Sequence, residues 1–400
     1  MSDDINFQRY KDVLTGLPPP DFVARAHSAR LQQMIADEME ASDGRISFAR
    51  FMELALYAPG MGYYSGGSYK LGEYGDFITA PECSPLFSRC LARQVAQVLT
   101  ILGGGDVLEV GAGSGMMAAA LLESLAAADC LPHRYFILER SGELRARQQD
   151  LLQKRLPHLR NRIIWLEQLL EPGFRGVVLA NELLDAFPVH CFTVTEAGSA
   201  ELYVKRENDQ WQWCQGAPSS VELAERIASV QRDANLPVGF HSEINLVGEA
   251  WIRSIADILI KGMLLIIDYG FPQREYYHPE RASGTLMCHY RHRAHDDPFI
   301  LVGLQDITAH VDFTAMAEAG YAAGLTVAGY TTQAAFLLGL GITELMRGAE
   351  DELTRMWWAQ QVKKLTLPHE MGELFKVMAF TRSINEPLMG FTFRDLSGRL

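Results

Sequence analysis

One stretch constrains this chain more than any other: Asp106-Val107-Leu108-Glu109-Val110-Gly111-Ala112-Gly113-Ser114-Gly115. An apolar run carries an acid near its end, and three alternating glycines follow at once. Residues 116–122, Met-Met-Ala-Ala-Ala-Leu-Leu, then carry strong helix formers. Strand, tight glycine turn and helix form the opening unit of a doubly wound α/β sheet. Glycine is needed where the backbone takes positive φ or lets a ligand approach closely. Ser114 is expected near the cap of the helix, whose unpaired N–H groups would face whatever fills the crevice.

Several ligands and classes are excluded early. A dinucleotide fingerprint wants a third glycine three residues after the second, and that position is Met116. A phosphate-cradling loop needs Gly-Lys-Ser/Thr, which does not follow here. With 400 residues, 48% of them hydrophobic, the chain can bury a large core as one elaborated domain or two. A net charge of −13 argues against a general nucleic-acid binder and suits cationic partners better. The six cysteines form no Cys-x-x-Cys pair, which reads as reduced thiols. His289, His292 and His295 do not have the spacing of a closed zinc site, so no metal is expected. No apolar run reaches membrane-spanning length. The start, Met-Ser-Asp-Asp-Ile-Asn, reads as neither signal nor transit peptide. The expectation is a soluble, cytoplasmic protein without membrane insertion.

The spacing predicts a helical N-terminal region over 1–100. Asp21 caps a helix to about residue 40, Ser47 caps one over 48–57, and a third covers 85–102. Between them, residues 72–79 are rich in glycine and aromatics and form a candidate lid. A sheet core then occupies 101–194 and 244–400, interrupted by a β-rich insertion over 195–243. Strands at 135–139, 163–166, 177–180 and 263–270 alternate with helices. Glu139 ends the second strand, where an acid can bind the hydroxyls of a ribose. The fourth strand runs into Asn181-Glu182-Leu183-Leu184-Asp185-Ala186-Phe187-Pro188. Ligands of open α/β sheets lie beyond the carboxyl ends of the strands, so this segment faces the same crevice. Residues 271–310 read as a long loop.

Five motifs now carry a resemblance. Gly75-Asp76-Phe77-Ile78-Thr79-Ala80-Pro81-Glu82, Glu109 to Gly115, Asn181 to Pro188, Asp268-Tyr269-Gly270 and Gln305 to Phe313 occur in this order. The glycine stretch resembles the first motif of class I S-adenosylmethionine (SAM) methyltransferases. Together the five resemble the MidA-like SAM-dependent methyltransferases, which include the mitochondrial complex I assembly methyltransferase, over about residues 30–385. The resemblance implies a class I methyltransferase (Rossmann-like) fold with SAM as cofactor. It implies cofactor contacts at Asp76, Glu109, Gly111, Gly113, Gly115, Glu139 and Asn181. It also implies methylation of a protein arginine, as the mitochondrial relative does on a respiratory complex I subunit.

Methyl transfer from a sulfonium is a direct displacement, so nucleophile, methyl and leaving sulfur must be aligned and desolvated. An arginine stays protonated at neutral pH, and nearby carboxylates can hold it and localise its charge. Glu182 and Asp185 are the expected catalytic pair, sharing one face if their turn is helical. Asp268 and Tyr269 are expected to contact substrate. Glu243 either caps the following helix or reaches the site, His310 reads as a buried structural histidine, and Trp211 and Trp213 as insertion core. Two other readings stay open: a non-catalytic assembly factor binding a client protein, and a small-molecule methyltransferase.

Overall fold

The computed structural model describes residues 16–66, 79–348 and 351–400. Local signals start the chain as their chemistry dictates. The Asp21 carboxylate accepts from the Ala24 N–H at 2.8 Å and opens helix Phe22–Glu40. After strand β1 (Arg45–Ser47), the Ser47 hydroxyl accepts from the Arg50 N–H and opens helix Phe48–Tyr57. Ser84 caps helix Pro85–Leu102, which has proline in its first turn and ends at Gly103 with φ 69°.

Strand β2 (Asp106–Val110) leads through the glycine turn into helix Met116–Ala127. Ser114 does not cap this helix. Gly115 holds the cap position at φ 84°, and no side chain bonds the first-turn N–H groups. β3 (Tyr135–Leu138), the Ser141-capped helix Gly142–Arg155, β4 (Ile163–Leu166) and β5 (Phe174–Asn181) follow. The chain then builds β6 (His190–Thr195), β7 (Gly198–Glu207), β8 (Gln210–Gly216), helix Val221–Ala234 and β9 (His241–Ile244). Helix Leu246–Ile258 and β10 (Leu259–Phe271) return it to the main sheet. Three short strands, β11 (Met287–Tyr290), β12 (Arg293–His295) and β13 (Asp306–Thr308), precede β14 (Val311–Asp312), helix Phe313–Ala322, β15 (Thr326–Thr332) and the last strand, β16 (Phe375–Arg382).

The main sheet runs in the order β15-β16-β10-β5-β2-β3-β4, with β14 paired to β10. The pairs from β10 to β4 are parallel, and β16 is antiparallel to both of its neighbours. Strand order reverses between β2 and β5, which opens a crevice at their carboxyl ends. Alternate residues serve opposite faces: Val107, Val177 and Leu265 join one apolar cluster, Leu108, Val178 and Leu264 the other. Helices cover both faces, so these strands read as continuous apolar runs.

The insertion differs from its sequence reading. Its sheet begins at His190 and includes β1 from the N-terminal region, in the order β1-β7-β6-β9 with β8 on β7. It also carries the 14-residue helix Val221–Ala234. Trp213 packs on Phe48 at 4.9 Å and Trp211 on Phe51 at 5.7 Å, so the insertion and the N-terminal helices share one core. Nor is 271–310 a plain loop: β12-β11-β13 form a small antiparallel sheet within it.

Candidate active site

A cavity of about 740 Å³ opens at the carboxyl ends of β2, β3 and β5, within the size range of cofactor sites. At one end stand Glu109, Gly111, Gly113, Ser114 and Glu139. The backbone dictates the turn: Gly111, Gly113 and Gly115 have φ of 71°, 54° and 84°, a region that favours glycine. A Cβ on Gly111 would also lie 3.0 Å from Leu183 Cδ1, so the turn packs against the 181–188 segment. Gly115 does not line the cavity. It backs onto Gln148, whose Cγ a Cβ there would meet at 3.3 Å.

Glu109 is buried and accepts the Tyr135 hydroxyl at 2.6 Å. Burial, against that hydrogen bond, pushes its carboxyl up to about 7. Glu139 is held by the Ser141 N–H at 2.9 Å and by the Gln148 amide at 3.1 Å, and burial raises its pKa. Gln148 is a residue that motif reading missed. Its Nε2 also donates to the Gly113 carbonyl at 2.9 Å, and its Oε1 accepts the Trp165 indole N–H at 3.0 Å. One fully buried amide thus fixes the glycine turn and Glu139 in a single frame. No local pattern marks it, because the contact spans 35 residues.

At the other side of the glycine turn lies the 181–188 segment, which is not helical. Glu182 adopts φ 49°, a left-handed conformation that costs a non-glycine residue energy. Its N–H donates to the Ile267 carbonyl at 2.8 Å. Its Oε1 accepts the Ala80 N–H at 3.2 Å and the Asn181 amide at 3.1 Å. Five further groups hold the segment. Asp268 Oδ2 accepts from the N–H groups of Leu183, Leu184 and Asp185 at 3.1, 2.9 and 3.3 Å. Asn245, while capping its own helix, donates to the Leu184 carbonyl at 3.0 Å. The Ala309 N–H donates to the Asp185 carbonyl at 2.9 Å, the Tyr57 hydroxyl to Ala186 O at 2.9 Å, and the Tyr269 hydroxyl to the Asp185 carboxylate.

The expected site residues therefore separate. Glu109, Gly111, Gly113, Glu139, Asn181 and Glu182 all line the cavity, whereas Asp185, Asp268 and Tyr269 do not. Asp268 is fully buried beneath the turn, so its expected substrate contact is corrected to a supporting one, and Tyr269 anchors Asp185. The turn that carries Glu182 and Asp185 is not helical, and only Glu182 of the two lines the cavity. Asp76, with the rest of the candidate lid up to residue 78, lies outside the described residues. Glu243 neither caps a helix nor reaches the cavity: it is buried, accepting from the Thr285 N–H and hydroxyl and the Tyr276 hydroxyl. His310 is half-buried and held at about 4 by burial and by nearby Arg281 and Lys376. Among the described residues no group of three or more His, Cys, Asp or Glu gathers as a metal site.

Electrostatically the carboxyls of the 181–188 turn and of Asp268 beneath it lack a paired counter-charge. Burial first, then the Asp185 carboxylate, pushes Glu182 up to about 8. Burial likewise raises Asp185 to about 6 and holds Asp268 well above its ordinary value. No arginine or lysine pairs with any of the three among the described residues. A cation entering the cavity would favour their charged forms.

A class I methyltransferase is what this strand order and glycine-turn crevice define, and the comparisons with known proteins agree. The family described as "Putative S-adenosyl-L-methionine-dependent methyltransferase" matches residues 90–331. A Burkholderia thailandensis protein crystallised with S-adenosyl-homocysteine superposes with a TM-score of 0.92 at 45% identity, covering 96% of this chain and 100% of that one. The mouse "Protein arginine methyltransferase NDUFAF7, mitochondrial" is 28% identical over 84% of this chain and 81% of its own. The Caenorhabditis elegans homologue, of the same name, is 26% identical over 83% and 81%. The chain belongs to this family and is a SAM-dependent methyltransferase. The cytoplasmic expectation is corrected: the curated relatives are mitochondrial by name, and the character of the first residues does not decide a compartment. Among the described residues no helix is long and apolar enough to cross a membrane.

The residues present fit this cofactor. Glu109 Oε1 and Asn181 Oδ1, both on cavity-lining residues, have no hydrogen-bond partner among the described residues. Buried acceptors left open in this way suit a ligand that brings donors and positive charge.

Proposed function

We propose that the enzyme methylates an arginine side chain of a protein, with respiratory-complex subunits the first acceptors to test. The observation that carries this reading is Glu182, a cavity-lining carboxyl fixed in a strained turn with no cationic partner among the described residues. The relatives named as protein arginine methyltransferases support it further. So do the surrounding carboxyls: a guanidinium beside a sulfonium is repelled, and acidic groups offset that repulsion.

Bound SAM supplies the methyl group on a cationic sulfur. Glu182 is neutral near pH 7 while the site holds no cation. The charge of an arriving guanidinium favours the ionised form, so Glu182 releases its proton to solvent and holds the guanidinium by charge-assisted hydrogen bonds. That contact aligns one nitrogen with the methyl carbon. As the nitrogen–carbon bond forms and the carbon–sulfur bond breaks, the electron pair goes to sulfur. The nitrogen then gives its proton to the ionised Glu182. Asp185 and Asp268 act through the backbone of the turn, as positioning residues.

The test uses purified enzyme, methyl-labelled SAM and protein extracts from cells lacking the gene, with the membrane fraction assayed beside the soluble one. After acid hydrolysis the label is expected in methylarginine. Label confined to other amino acids or to small molecules would overturn the reading.

A further inference from the structure

The end of the cavity away from the glycine turn is made by elements that take no part in that turn. Helix Phe48–Tyr57 supplies Glu53 and Tyr57, the segment after Glu182 supplies Phe187, and helix Leu246–Ile258 supplies Val247 and Trp251. We propose that this end is the acceptor's vestibule, and that its aromatic walls and acidic lining select a guanidinium carried on a protein segment. The inference rests on the arginine reading above and adds the residues that would admit and recognise the acceptor.

Two aromatic pairs form the walls. Tyr57 and Tyr64 stack with ring centres 5.5 Å apart and planes 18° from parallel. Their hydroxyls are already committed: Tyr57 to the Ala186 carbonyl at 2.9 Å, and Tyr64 to the Asp306 carboxylate at 3.0 and 3.1 Å. What they offer a ligand is therefore ring surface. Phe187 and Trp251 form a second, edge-to-face pair at 6.0 Å. Flat rings suit a planar, weakly hydrated guanidinium better than a compact, strongly hydrated ammonium. Tyr57 also bonds the segment that carries Glu182, so ring and carboxyl are held in one frame.

Charge points the same way. The cavity lining contributes the carboxyls of Glu53, Glu109, Glu139 and Glu182 against the guanidiniums of Arg50 and Arg140. Arg50 is already engaged, by Glu38 at 2.6 and 3.0 Å and by Glu53 at 2.7 Å. Glu182 and Glu109, whose carboxyls burial raises to about 8 and about 7, ionise when a cation enters, so the lining favours a cationic acceptor and gives a neutral one no advantage.

Val247 lines the cavity and is 41% exposed, so a charge can be introduced there with little effect on packing. The experiment compares Val247→Lys, Val247→Asp and wild type for initial label transfer into subsaturating extract protein at low and high salt. S-adenosyl-homocysteine affinity is measured in parallel by calorimetry. Val247→Lys should lower the rate about tenfold at low salt, with the loss shrinking as salt rises. Val247→Asp should raise it, and the affinity of both for S-adenosyl-homocysteine should match wild type. An equal loss in both variants, no change in either, or altered S-adenosyl-homocysteine affinity would overturn the vestibule. Absence of methylarginine from the wild-type reaction would instead overturn the arginine reading, independently of either variant.

Discussion

The two ends of the cavity are built in different ways. The cofactor end comes mostly from one contiguous run, residues 109–115, whose glycine backbone shapes the turn, with Glu139 added from the next strand. The acceptor end is assembled from residues 53–64, 182–187 and 247–251, joined by side chains reaching backbone carbonyls far away in sequence. A site made by backbone fixes one ligand tightly. A site made by side chains on separate elements can be altered residue by residue while the cofactor end stays intact.

The largest effect should come from the backbone-made end. Gly113→Val puts a β-branched side chain at φ 54°, and SAM affinity should fall on the order of a thousandfold by calorimetry. Wild-type affinity in that variant would break the contrast at its root. Next is the support beneath the acceptor end. Asp268→Ala leaves three N–H groups, two of them buried, without their acceptor, and denaturant unfolding should show a loss of about 3 kcal/mol. No loss would mean that the turn is held without Asp268. Gln148→Glu then probes the join between the glycine turn and Glu139. It sets a carboxylate against the Glu139 carboxylate and the Gly113 carbonyl, so SAM affinity should drop about tenfold. An unchanged affinity would leave Gln148 as core packing only.

The smallest effect is the pH dependence of the ligand-free protein. Glu182 sits at about 8 and Glu109 at about 7, against an ordinary value of 4.5. Between those values the native chain keeps protons that the unfolded chain has released, so stability falls as pH rises. It is fully present below about 4.5 and is lost on passing through 7 to 8. The melting temperature should decline from pH 5 to pH 8, and Glu182→Gln should flatten that slope. A melting temperature that rises over this range would contradict the burial of neutral carboxyls.

Legibility in the sequence followed the same division. The strands of the sheet and the caps at Asp21, Ser47 and Ser141 were readable because each signal is local. Ser114 stands near the cap as its position suggests, but the cap itself is the left-handed Gly115 one residue later. Asp268 looked like a ligand residue, since an acid at the end of a strand usually faces the crevice. Its role depends instead on β10 lying beside β5, which brings the 183–185 backbone over its carboxylate. The turn from Glu182 to Asp185 is not helical, so the condition for a shared face is not met: bonds to Ile267, Asn245 and Ala309 set its path. Of the acceptor-end aromatics only Phe187 lies in a motif; Tyr57, Tyr64 and Trp251 lie in none of the five, and only the folded chain brings all four to one cavity.

The central claim is that cofactor binding and acceptor chemistry depend on different residues of one cavity. Glu182→Gln tests it most directly, with SAM affinity by calorimetry measured beside the rate of methylarginine formation in extract protein. The side chain keeps its shape and can still accept the Ala80 N–H, so affinity should stay within about threefold of wild type. Methylarginine formation should fall about a hundredfold or more, as when other groups that stabilise transition-state charge are removed. An unchanged rate would remove Glu182 from the chemistry, and lost SAM affinity would move it to the cofactor end; either result would contradict the division.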